Sequence, residues 1–126
     1  MTVSYKTCLL VDDNYIDNFV TRKLLENSNF AENIIVSDSP DEAMQSLRDG
    51  SILPDIIFLD IRMPSMDGFE FLDHYDKLTI AKENIKIYLL SSSLDPTDIK
   101  KSSDNKYITQ LIHKPLTQKI LEEICL

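Results

Sequence analysis

Five short apolar runs recur along the chain, none longer than four uninterrupted residues, and each is followed by a stretch of helical periodicity. They are Cys8-Leu9-Leu10-Val11, Ile34-Ile35-Val36, Ile56-Ile57-Phe58-Leu59, Ile85 to Leu90, and residues 107–113 with Leu111-Ile112 at their centre. Runs of this length without polar alternation read as strands buried on both faces. Such strands need helices above and below them, and strand–helix–strand crossovers make neighbouring strands parallel. The predicted fold is therefore α/β, a doubly wound five-stranded parallel sheet between two helical layers. A chain of 126 residues that is 43% hydrophobic sustains one core and is short for two, so residues 1–126 are expected to form one domain.

The helices carry their own signals. Ile16, Phe19, Val20 and Leu24 fall at i, i+3, i+4 and i+8, predicting the inward face of a first helix that ends near Asn27-Ser28-Asn29. Ser39-Pro40-Asp41-Glu42 supplies an N-cap, a first-turn proline and a glutamate at capping-box distance, and Gly50 supplies a stop, predicting a helix from about Pro40 to Asp49. Phe69, Leu72, Tyr75 and Leu78 mark the core side of a third helix. Asp95-Pro96-Thr97 opens a short, weakly apolar fourth, around residues 97–103, and Thr117 caps a fifth that carries Ile120, Leu121 and Ile124.

Chemistry gathers where the runs end. Asp12 and Asp13 follow the first, Asp60 the third, Ser91 the fourth and Lys114-Pro115 the fifth. In open parallel sheets ligands bind beyond the carboxyl ends of the strands, where the winding changes direction. With strand order 2-1-3-4-5, strands one and three are neighbours and three carboxylates converge. Like charges at such range repel and raise one another's pKa, so the cluster implies a bound cation. An all-oxygen donor set selects Mg²⁺, Ca²⁺ or Mn²⁺, and Mg²⁺ commonly keeps places for water and phosphate oxygens. Lys114 and the Ser91 hydroxyl would then stabilise a transferring phosphoryl group, for which a carboxylate is a usable nucleophile. Three carboxylates against a divalent ion and one lysine leave the loaded site near neutral. The bland reading of Asp12 and Asp13 is helix capping.

Composition removes several classes. A net charge of -8 opposes the electrostatic attraction that drives nucleic-acid binding, and no apolar run approaches a membrane span. No nucleic-acid contact and no membrane insertion are expected. Cys8 and Cys125 form no CxxC pair and suit a reducing compartment, so the expected location is cytoplasmic.

The Asp12-Asp13 pair, the block Asp60-x-x-Met63-Pro64-x-Met66-Asp67-Gly68, Ser91 and Lys114-Pro115 together resemble the receiver domain of two-component response regulators, in order and spacing over essentially the whole chain. The resemblance implies a CheY-like fold. It implies transfer of a phosphoryl group from a sensor histidine kinase or a histidine phosphotransfer protein to Asp60. Asp12, Asp13, Asp60 and the backbone carbonyl of Arg62 would hold Mg²⁺, Ser91 would swing toward the phosphoryl oxygens, and Lys114 would pair with them next to a cis Lys114–Pro115 bond. Output would be a shift between two conformations. The pattern departs at Leu111, where family members often carry an aromatic residue three positions before the lysine. No effector domain follows Leu126, so the expectation is a stand-alone phosphoacceptor rather than a turnover enzyme, docking to a downstream protein whose identity the sequence does not specify.

Other residues read as structural or secondary. Asp67-Gly68 is expected to shape the entry to the third helix, His74 and His113 lack partners at ligand spacing, and Tyr5, Tyr88 and Tyr107 read as packing. Arg62 is a candidate for tuning the lifetime of a phosphoryl group. Two other functions compete: a metal-dependent phosphatase, which usually needs an acid where Arg62 stands, and an interaction module without a switch. A flavin site is disfavoured because acids replace phosphate-cradling glycines.

Overall fold

The computed structural model describes residues 5–125. The strands are β1 (Tyr5–Val11), β2 (Ala31–Ser37), β3 (Ile56–Asp60), β4 (Lys86–Ser91) and β5 (Ile108–His113). The helices are α1 (Tyr15–Asn27), α2 (Pro40–Asp49), α3 (Gly68–Asp76), α4 (Pro96–Asp104) and α5 (Gln118–Ile124). All neighbouring strands pair in parallel, as the alternating runs predict, and in the expected order β2-β1-β3-β4-β5 that sets strands one and three side by side. The pairs Val11↔Ser37, Val11↔Leu59, Asp60↔Leu90 and Ser91↔His113 bring all five carboxyl ends to one edge. β2 begins earlier than its apolar run because Glu32 and Asn33 lie on an edge strand, where polar side chains stay in water.

Because successive strand residues point to opposite faces, the strands feed two separate cores. Leu9, Val11, Ile57, Leu59, Ile87 and Leu89 pack with Ala43, Met44 and Leu47 of α2 and Phe71, Leu72 and Tyr75 of α3. Cys8, Leu10, Ile56, Phe58, Tyr88, Leu90 and Ile112 pack with Leu25 of α1 and Leu121 and Ile124 of α5. Phe71, fully buried, joins the expected α3 residues, whereas Phe69 is only partly covered. The tyrosines pack as expected: Tyr5 against Phe30, Tyr88 against Phe58 and Tyr107 edge-on to Tyr75. Cys8 is buried, Cys125 exposed, and both are free thiols. Among the described residues no helix is long and apolar enough to cross a membrane.

The expected inward face of α1 is overturned at three of its four residues, Leu24 alone packing partly against the core. Ile16, Phe19 and Val20 are 69%, 57% and 52% exposed, while Asn18 and Leu25 are buried. The Asn18 side chain donates to the Asp12 carbonyl at 2.7 Å. That buried bond turns the Asn18–Leu25 ridge toward the sheet and leaves the apolar stripe in water. Elsewhere local chemistry acts as expected. Ser39 accepts from the Glu42 amide at 3.2 Å, and Gly50 closes α2 with φ 80°. Asp67 and Glu70 form a reciprocal capping box at the start of α3.

Gly68 brings α3 against the backbone of the strand that carries Asp60. Its amide donates to the Ile61 carbonyl at 2.8 Å, and a Cβ there would lie 3.0 Å from the Asp60 carbonyl oxygen and 3.2 Å from the Ile61 Cα. Neither backbone atom can give way without moving the end of β3. Gly68→Ala is therefore expected to lower stability by about 1–3 kcal/mol through overpacking. Gly50→Ala, which meets nothing within 4 Å, is expected to lose about 1 kcal/mol through its left-handed backbone alone. Urea unfolding of both variants checks the difference; a Gly68→Ala midpoint equal to wild type contradicts the close approach.

Candidate functional site

Each acid at the carboxyl edge is placed by backbone before side chains meet. The Asp12 amide donates to Ser37 of the edge strand at 3.2 Å, its Oδ1 accepts from the Asn14 amide at 2.9 Å, and its carbonyl holds Asn18. The N-cap of α1 is Asn14, whose side chain accepts from the Asp17 amide. Helix capping thus leaves Asp12 and Asp13 without that role. Asp60 is the last residue of β3, and the next amide, Ile61, donates to Leu90 at 3.2 Å. The Lys114 amide donates to the Ser91 carbonyl at 2.7 Å, fastening the turn after β5 to the end of β4, and Lys114–Pro115 is cis.

The side chains then converge. Carboxylate oxygens of Asp12, Asp13 and Asp60 lie within 4.8 Å of one another; Asp12 and Asp60 are buried and Asp13 is exposed, so the cluster opens on the Asp13 side. Lys114 Nζ stands 2.8 Å from Asp12 Oδ2, 3.1 Å from Asp60 Oδ1 and 2.9 Å from Asp17 Oδ2. Ser91 is also buried at this edge, but its hydroxyl donates to the Ser93 carbonyl and accepts from the Ser93 amide. It is turned to its own loop rather than to Asp60. The Arg62 side chain leaves the cluster altogether and pairs with Asp98 of α4. His113 contacts the Ser92 carbonyl, and neither histidine joins the acids.

Burial, and then the charge of Asp12, push the Asp60 carboxyl up from 3.8 to about 6, against the pull of Lys114; Asp13 adds a smaller push. For Lys114, burial alone disfavours the charge, but the hydrogen bonds to Asp12 and Asp17 and the charges of Asp12 and Asp60 outweigh it and hold its pKa above the ordinary lysine range. Lys114 therefore stays an ammonium. An all-oxygen set of three acids, two of them buried and sharing one ammonium, fits a divalent cation.

Two residues escaped the sequence reading. Asp17 belongs to the first turn of α1, where an acid has the ready explanation of complementing the helix dipole; nothing in its spacing points to a lysine 97 residues away. Its presence corrects the charge balance. Asp12, Asp17 and Asp60 share one ammonium and Asp13 adds a fourth carboxylate to the site, so one divalent cation leaves it negative rather than neutral. Asp98, 3% exposed, sits in a helix whose polar sequence gave no sign of a buried face.

A raised carboxyl pKa means that folding disfavours the charged form, so the cost is absent below the unfolded value and felt in full above the folded one. In chelator-treated protein Asp60→Asn is expected to raise stability at pH 8 by about 1–3 kcal/mol. The gain should narrow as pH falls through 6 toward 4, where the native carboxyl has itself become neutral. Unfolding curves across that range test the sign; equal midpoints at pH 8 refute it.

The wider likeness agrees with this geometry. Residues 8–125 match the family model of the response regulator receiver domain. The sensor histidine kinase CheAY of Helicobacter pylori is 28% identical over 116 residues, covering 92% of this chain but 14% of that protein, so the similarity is to one segment of a much longer molecule. A two-component response regulator of Cytophaga hutchinsonii superposes with a TM-score of 0.87 at 31% identity, covering 95% of this chain and 93% of the other. A response regulator receiver protein of Dyadobacter fermentans does so with 0.85 at 35% identity, covering 94% of each. A family match over nearly the whole chain, together with solved relatives above 30% identity in the same fold, shows that this chain belongs to the response regulator receiver domains of two-component signalling.

Proposed function

We propose that residues 1–126 act as one receiver unit that accepts a phosphoryl group on Asp60 from a phosphohistidine of a sensor histidine kinase or a histidine phosphotransfer protein. The observation that carries this reading is the buried Asp60 carboxylate at the sheet edge, beside a permanently charged Lys114 and two further acids that open to solvent at Asp13. A carboxylate oxygen attacks phosphorus, the O–P bond forms as the N–P bond breaks, and the imidazole leaves on the donor with a proton from solvent. Asp12, Asp13, Asp60 and the Arg62 backbone carbonyl would hold Mg²⁺, which when bound supplies positive charge for the phosphoryl oxygens. Lys114 transfers its ammonium from Asp60 to those oxygens, and Ser91 exchanges the Ser93 carbonyl for one of them. The added charge falls on a pocket already negative and favours a second conformation.

The donor needs a landing place beside Asp13. Tyr15, Ile16, Phe19 and Val20 form an exposed apolar stripe on α1, directly after the acidic pair, and fit a partner helix that carries the phosphohistidine. Output would pass to a downstream protein partner. This role belongs in the cytoplasm, which suits the two free thiols. A phosphatase is disfavoured, since the position that would need a second acid is Arg62, already engaged with Asp98.

Incubation with acetyl phosphate and Mg²⁺ should add one phosphoryl group to the wild-type chain by intact mass. Asp60→Asn should take none, and labelling that survives the substitution defeats the assignment. Asp17→Asn is expected to weaken Mg²⁺ binding roughly three- to tenfold, because it removes one nearby negative charge and leaves Lys114 more firmly on Asp12 and Asp60. Calorimetric titration reads this directly; an unchanged affinity would show that Asp17 lies outside the field of the ion.

A further inference from the structure

Beneath α4 the protein buries polar side chains alone, whereas each of its other helices buries at least one apolar residue. The two buried residues of α4 are Asp98 and Ser102, one turn apart on one face. Asp98 is 3% exposed, and among the described residues its charged partner is Arg62, Nη2 to Oδ2 at 2.5 Å. The Ser102 hydroxyl is buried and has no hydrogen-bond partner. Ile99, the one large apolar residue of α4, is 45% exposed. Beside the Asp95 cap, which accepts from the Thr97 amide at 2.8 Å, the first turn of this helix is thus seated by an ionic contact rather than by area removed from water. A buried carboxylate that loses its counter-charge is strongly destabilising, and the simplest relief is for its turn to move into solvent.

The counter-charge is supplied from the loop that leaves Asp60. Arg62 stands two residues beyond it, its side chain is 62% exposed, and its planar fork of N–H donors matches phosphoryl oxygens as well as it matches a carboxylate. The other cation at the pocket, Lys114, is already divided among Asp12, Asp17 and Asp60. Resting on the reading of Asp60 as acceptor, we propose that Asp98 is a positioning residue of that site: it holds the Arg62 guanidinium on α4 and yields it when Asp60 carries a phosphoryl group, which frees the first turn of α4. The exchange is reciprocal. Whatever holds α4 away from Asp98 makes Arg62 available and favours the phosphorylated state by the same factor. Leu111 of β5 is half-buried against the core and brings no polar group to this route, so the ionic contact carries it without a side chain on the edge strand.

Hydrogen exchange of the full chain, with and without beryllofluoride in Mg²⁺, tests the proposal. In the wild type, beryllofluoride should speed exchange in residues 96–104. In Asp98→Asn and in Arg62→Met that segment should exchange fast without ligand, and the ligand-dependent difference should shrink or vanish. Asp98→Asn should also bind beryllofluoride roughly two- to tenfold tighter, a gain that Arg62→Met removes when the two are combined. Lys101→Met is the control: it deletes an exposed contact of Lys101 with the Phe69 ring, 5.3 Å from the centroid, and should leave the α4 response intact. If wild type does not bind beryllofluoride, or Asp60→Asn binds it equally well, the reading of Asp60 falls and the positioning role with it. If binding depends on Asp60 but the α4 response is absent, or survives Asp98→Asn unchanged, the positioning role alone falls.

Discussion

One ammonium group compensates a site assembled from four parts of the chain. Lys114 follows β5, Asp12 follows β1, Asp17 belongs to α1 and Asp60 ends β3, yet the lysine nitrogen lies within 3.1 Å of an oxygen of each acid. The order β2-β1-β3-β4-β5 makes this possible by setting β1 and β3 side by side, with Val11 opposite Leu59, so that the next residue on each strand is an aspartate. Lys114 comes from an edge strand, and its long stem must cross the ends of β4 and β3 to reach Asp12. A shorter cation would leave Asp12 and Asp60 as buried anions without a counter-charge, at a cost of several kcal/mol.

That arrangement is unfavourable by construction. Asp60 is less willing to ionise than a carboxylate in water, and the pocket gathers more negative charge than Lys114 cancels. The surrounding fold absorbs the strain because the two cores flanking the sheet are apolar and independent of the edge. Any cation that enters the acidic pocket relieves the repulsion, so binding and stability are linked: ligand free energy appears as folding free energy in the loaded state. Three carboxylate donors in one cluster suit a hard divalent ion.

The strands and their ends were legible in the sequence because burial on both faces leaves uninterrupted apolar runs, and because carboxylates, a hydroxyl and a lysine that are each ordinary alone all fall at the ends of those runs. Three features were not. The orientation of α1 was misread because a single buried hydrogen bond from Asn18 to the Asp12 carbonyl outweighs an apolar stripe of three residues. Asp17 was hidden by position, since an acid in a first helical turn is ordinary. Asp98 was hidden by chemistry, because periodicity finds faces through apolar residues and α4 buries a carboxylate and a serine. In each case a directional polar contact decided the outcome, those of Asp17 and Asp98 between segments distant in sequence, and hydrophobic patterning is blind to such contacts.

The contrast between the helices bears on how a charge added at the sheet edge can act selectively. α2 is seated by Ala43, Met44 and Leu47, and α3 by Phe71, Leu72 and Tyr75. Their stabilisation scales with buried area and does not change when a charge is placed at Asp60. The seat of α4 includes Arg62–Asp98, a contact that is directional and is drawn from the loop that follows Asp60. A perturbation of one or two charges therefore leaves most of the molecule indifferent and falls on the element whose attachment is electrostatic. Selectivity of this kind needs no softness distributed through the fold. It needs one helix held by a different kind of force from its neighbours, with the group that holds it two residues from Asp60.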